Sequence, residues 1–88
     1  MNYRFQPGGN VCSRMIEIEI DDRNNRIKRV EFTGGCPGNL TGISRLAVGM
    51  DPEELAGKLQ GICCGGKPTS CPDQLSIALR KILSARKN

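Results

Sequence analysis

The chain has no histidine and almost no aromatic side chains: of its 88 residues, only Tyr3, Phe5 and Phe32 carry a ring. Histidine is the usual general base near neutral pH. Its absence removes a Cys–His dyad and a mixed Cys/His metal site, and counts against a self-contained hydrolase or protease. The shortage of rings removes the stacking platform on which single-stranded nucleic acid is usually bound, because Tyr3 and Phe5 alternate with polar residues as strand side chains do. No apolar run approaches the ~20 residues of a membrane helix, and no N-terminal stretch reads as a secretory signal. The expectation is therefore a soluble, cytoplasmic protein with no membrane partner. Acidic residues are the minority, 9 against 13 Lys plus Arg, for a formal charge of +4. The excess gathers at Arg23, Arg26, Lys28 and Arg29 and at Arg80, Lys81, Arg86 and Lys87. Such clusters admit nucleic acid or an acidic partner but read first as solvated faces.

Cysteine is what the chain does have, with five residues. In a reducing compartment, thiols in odd number read as metal ligands or redox groups before they read as disulfides; in a secreted protein that order would reverse. Two of them lie in a repeated element, Cys36-Pro37-Gly38-Asn39-Leu40 and Cys71-Pro72-Asp73-Gln74-Leu75. Proline has its φ near the helical value and no N–H to lose, so each copy predicts a helix start with a cysteine at or beside the N-terminus. The unpaired N–H groups there favour negative charge and hence thiolate, the form that binds metal and exchanges with disulfides. One Cys-Pro alone would read as a helix start next to a small buried residue. Two copies with further cysteines nearby shift the reading toward a site.

Alternation of polar and apolar residues predicts strands over 2–6, 11–20 and 26–33. Ile16, Ile18 and Ile20 share one face with Cys12, provided that no bulge interrupts the strand between Cys12 and Arg14. The Asp21-Asp22-Arg23-Asn24-Asn25 stretch reads as the connecting turn, and Gly34-Gly35 as a sharp turn into Cys36. From Leu40 the period becomes helical, with Leu40, Ile43, Ala47 and Met50 on one stripe and Leu46 at its margin. Gly42 and Gly49 either weaken this helix or let it pack closely. Asp51-Pro52-Glu53-Glu54 opens a short helix closed by Gly61, and Leu75, Ala78, Leu79, Ile82 and Leu83 define a last helix over 72–84 whose start carries Ser70 and Asp73 at capping-box spacing. The expected fold is one α+β domain over residues 1–88: a small antiparallel meander of about three strands followed by two to three helices on one face.

In that arrangement Cys12 ends a strand, Cys36 sits at a strand-to-helix turn, Cys64 opens the Gly65-Gly66 turn, and Cys71 starts a helix. All four fall near the sheet–helix boundary, where four thiolates can hold zinc. Adjacent cysteines rarely both reach one tetrahedral ion, and Cys64 is the better candidate of the Cys63–Cys64 pair. The spacing is looser than that of paired Cys-x-x-Cys knuckles, and sulfur ligands suit an iron–sulfur cluster as well as zinc. Gly34-Gly35-Cys36-Pro37-Gly38 also resembles an anion nest but lacks the Lys-Ser/Thr ending of a phosphate loop.

Thr69-Ser70-Cys71-Pro72-Asp73 spells the signature of the TSCPD family, and Phe32-Thr33-Gly34-Gly35-Cys36-Pro37-Gly38-Asn39-Leu40 is similar to the family pattern that precedes it. The chain resembles a small stand-alone member. The resemblance implies a four-cysteine set at Cys12, Cys36, Cys64 and Cys71, with Cys63 extra. It also implies metal binding and a link to ribonucleotide reduction, since related domains occur near the C-terminus of B12-dependent ribonucleotide reductases. A ribonucleotide reductase is then the implied protein partner, and Cys64 and Cys71 are the implied redox pair if the domain supplies thiols to it. The chain has no cobalamin-binding segment and is too short to enclose a nucleotide, so no catalytic residue is assigned. A weaker, architectural likeness is to iron–sulfur scaffold proteins.

Overall fold

The computed structural model describes residues 1–8, 13–35, 37–63 and 69–86. Three strands, β1 (Asn2–Phe5), β2 (Ser13–Asp21) and β3 (Arg26–Gly34), form an antiparallel sheet in the order β1-β2-β3. Three helices follow, α1 (Pro37–Ala47), α2 (Pro52–Leu59) and α3 (Cys71–Arg86). The α+β meander expected from periodicity is thus the observed architecture.

One face of the sheet is apolar and the other charged. Ile16, Ile18 and Ile20 of β2, with Ile27 and Val30 of β3, are buried in one cluster with Leu55 and Ala56 of α2 and Leu75, Ala78, Leu79 and Ile82 of α3. Burying each such Ile or Leu is worth about 1.5–3 kcal/mol, which makes this seam the main source of stability. On the opposite face, Glu17 pairs with Glu31 across the strands, a like-charge contact that costs stability on its own. Arg29 offsets it by reaching Glu31 at 2.8 Å, Glu19 at 3.5 Å and Glu17 at 3.9 Å.

The turn from β2 to β3 forms where Asp and Asn predicted it. Asp21 Oδ1 accepts from the Arg23 N–H at 2.9 Å, Asn24 Oδ1 accepts from the Arg26 N–H at 3.0 Å, and Asn25 takes a left-handed φ of 58°. The Arg23 amide bonded to the Asp21 carboxylate is the main cause that holds its pKa below the ordinary value.

Two register shifts depart from simple alternation. Between Ser13 and Met15, Arg14 has no partner of its own on β3, and between Ile20 and Glu19, Lys28 has none on β2. Each extra residue resets the parity, so Ser13 and Ile16 both point inward, as do Ile27 and Val30. The alternation that put Cys12 on the isoleucine side therefore stops at Met15; Cys12 itself lies outside the described residues.

Among the helices, α1 buries Leu40 and Ala47, with Ile43 and Met50 partly covered, whereas Leu46 is 77% exposed. A Cβ on Gly42 would meet nothing within 4 Å, so this glycine weakens the helix without serving close packing, and Gly49, with φ 86°, follows the helix end. There the chain clasps the edge of β3: the Gly49 N–H donates to Ile27 O at 2.7 Å and the Ile27 N–H to Met50 O at 2.9 Å. Asp51 caps α2 through the Glu53 N–H at 2.8 Å, and the buried Ser76 hydroxyl donates to Ala56 O at 2.7 Å, locking α2 to α3. α3 begins one residue before the expected Pro72 and runs two beyond Ser84.

Candidate metal centre

Cys71 is the first residue of α3, and Pro72 the second, as the Cys-Pro pattern predicted. Its residue is 9% exposed, so the thiol faces the interior beside the helix start. The Ser13 hydroxyl, from the first residue of β2, donates to Cys71 Sγ at 3.2 Å within the protein interior. Ser13 in turn pairs with Gly34 at the end of β3. Gly34 and Gly35 have φ of 83° and 84°, a region that side chains with a Cβ avoid, so these two glycines are what lets β3 break off toward α1. The start of β2, the end of β3 and the start of α3 meet at this one corner.

Hydrogen bonds from the first turn of α3 and the residues before it hold two further chain segments at the same corner. The Gly8 N–H donates to Gln74 Oε1 at 3.0 Å, and Gln74 Nε2 donates to Thr69 Oγ1 at 3.0 Å. Ser70 caps the helix by accepting from the Asp73 N–H at 3.2 Å, and its hydroxyl donates to Ile62 O at 2.6 Å. The capping box expected from Ser70 and Asp73 is present in one half only. The Asp73 carboxylate does not return to the cap; it accepts from the Gly61 N–H at 2.8 Å and from the Thr69 hydroxyl at 2.6 Å. Within the Thr69-Ser70-Cys71-Pro72-Asp73 run, Ser70 and Asp73 thus fasten the Gly61–Ile62 segment to the head of α3, and Thr69 braces Asp73 and Gln74 there.

These fasteners bracket the cysteine-bearing stretches. Gly8 and Ser13 flank the 9–12 segment that contains Cys12; Gly61 with Ile62, and Thr69 with Ser70, flank the 64–68 segment that contains Cys64; Gly34 and Gly35 precede Cys36. Of the four predicted ligands only Cys71 is a described residue; Cys12, Cys36 and Cys64, and the turn glycines Gly65 and Gly66, lie outside the described residues. Among the described residues, no three His, Cys, Asp or Glu side chains are grouped to hold a metal ion. Cys63 is exposed and its Sγ donates to Gly61 O at 3.5 Å. The Cys71 end of the set fits such a group: a buried sulfur with a hydroxyl donor at 3.2 Å suits a metal thiolate, whose negative charge such donors stabilise.

Sequence reasoning missed the parts played by Ser13 and Gln74. The Ser70-x-x-Asp73 spacing was a usable signal for the helix cap, but nothing in local pattern marked Ser13, whose inward placement arises from the register shift beside it.

A three-stranded antiparallel sheet, covered on one face by three helices and carrying a buried cysteine at the head of the last, defines a small cysteine-bearing α+β domain. The model of the TSCPD domain matches residues 1–83, and the chain belongs to that family. No curated protein and no solved structure matches the chain. Among the described residues no helix is long and apolar enough to cross a membrane.

Proposed function

We propose that the chain is a cytoplasmic metal-binding accessory domain in which the thiolates of Cys12, Cys36, Cys64 and Cys71 hold zinc as a structural cross-link. The observation that carries the reading is the corner at the head of α3. A buried Cys71 receives a hydroxyl hydrogen bond there, and side chains of the Thr-Ser-Cys-Pro-Asp run and of Gln74 bind the residues that flank Cys12 and Cys64. A fold that needed these segments only as connectors would have no use for so many polar bonds fastening them to the helix head that carries the buried Cys71. Zinc, when bound, would join chain segments that the thin core cannot hold alone, which is how small domains are commonly stabilised. Family membership supports a further step, that the domain serves ribonucleotide reduction by docking on a reductase, with catalysis left to that partner.

Elemental analysis of protein purified anaerobically without added metal tests the reading. About one zinc per chain is expected, with those four thiols shielded from thiol reagents. A brown protein with iron and sulfide would assign the same ligands to a cluster. Neither zinc nor iron near stoichiometry, with all thiols open to titration, overturns metal binding.

A further inference from the structure

We infer that Ser13 is a positioning residue for the Cys71 sulfur, an inference that rests on the thiolate reading above. Ser13 is 4% exposed, and burying a hydroxyl is unfavourable unless it is bonded. It is buried because β2 departs from its register beside it, which turns Ser13 to the inner side and leaves Arg14 outside and without a partner on β3. A sheet that breaks its ladder to bring a hydroxyl to one sulfur gains nothing in packing from that choice, since alanine would fill the same place without a polar group. What the hydroxyl supplies is a donor, 3.2 Å from Cys71 Sγ, contributed by a residue 58 positions away in the chain.

A donor on a ligand sulfur does two things. It selects one side-chain rotamer of the cysteine, and it disperses part of the thiolate charge while leaving other lone pairs for the metal. Removing such outer partners typically costs ten- to a hundredfold in metal affinity. A serine that only completed the packing of the β2 start would affect folding stability and leave the metal untouched.

The test compares zinc affinity, by competition with a chromophoric chelator, in the wild-type chain and in Ser13→Ala, Ser13→Thr and Ser76→Ala. Ser76 is the control: it too is a buried serine with a hydroxyl bond, but that bond goes to Ala56 O of α2 at 2.7 Å and not to the cysteine. Ser13→Ala is expected to bind zinc about tenfold or more weakly and to shift the sulfur-to-metal band of the cobalt-substituted protein. Ser13→Thr keeps the hydroxyl and restores most of the affinity. Ser76→Ala lowers the unfolding temperature and leaves affinity at the wild-type value. Wild-type affinity in Ser13→Ala, with only stability reduced, overturns the inference. If the wild-type chain itself takes up no zinc, the thiolate reading fails separately. The Cys71 Hα–Hβ couplings of the metal-free protein then decide: one rotamer in wild type that averages in Ser13→Ala upholds positioning, and identical couplings in both reject it.

Discussion

Two glycines with opposite requirements show how differently single residues contribute. Gly35 holds φ of 84° in the turn that leads β3 toward α1, and an L side chain there is strained by roughly 1–2 kcal/mol. Gly42 sits inside α1 with open space where a Cβ would be, so it only loosens the helix. Gly35→Ala should therefore lower the unfolding free energy read from urea denaturation by about 1–2 kcal/mol, whereas Gly42→Ala should raise it by about 0.5–1 kcal/mol. Equal effects at the two positions would contradict the strained turn. Arg29 is the other residue whose role exceeds its own contacts, because it alone among the described residues ties three glutamates on the outer face.

At the scale of elements, the head of α3 works as a fastener more than as a helix cap. Asp73→Ala removes the acceptor used by the Gly61 N–H and the Thr69 hydroxyl while leaving the Ser70 cap bond in place. A loss of about 1–2 kcal/mol in urea unfolding is expected, with faster hydrogen exchange at the Gly61 amide; Asp73→Asn, which keeps an acceptor oxygen, should lose less. An unchanged Gly61 exchange rate would show that the bond is not formed in solution. The elements themselves were legible in the sequence because each obeys a local rule. Ile16, Ile18 and Ile20 alternate against Glu17 and Glu19; Leu75, Ala78, Leu79 and Ile82 keep helical spacing; Asp51-Pro52 and the Cys-Pro pairs mark helix starts. What local rules cannot encode is where a long-range bond ends. The register shifts that set Ser13 and Ile27 inward depend on the pairing of whole strands, and the partners of Asp73 and Gln74 lie 12 and 66 residues away. The cysteine corner was therefore legible as a set of candidates, while the side chains that assemble it were not.

For the whole molecule, the balance is between a narrow seam of aliphatic side chains and the fastenings at one corner. A ligand that binds only the folded state at a concentration a thousand times its Kd adds about 4 kcal/mol, and in a chain of this size each kcal/mol moves Tm by about 4–8 °C. Stripping the proposed zinc with a chelator should accordingly lower Tm by about 15 °C or more, with recovery on adding zinc back. A Tm indifferent to chelator would separate stability from the thiols altogether. The bond between Ser13 and Cys71 has a consequence for biosynthesis. Its two ends leave the ribosome 58 residues apart, a gap of about 3–12 s at ordinary translation rates. Through that interval the isoleucine face of the nascent sheet has no helix α3 to cover it, so a chaperone that shields apolar surface should meet this chain during synthesis, before any cysteine corner exists.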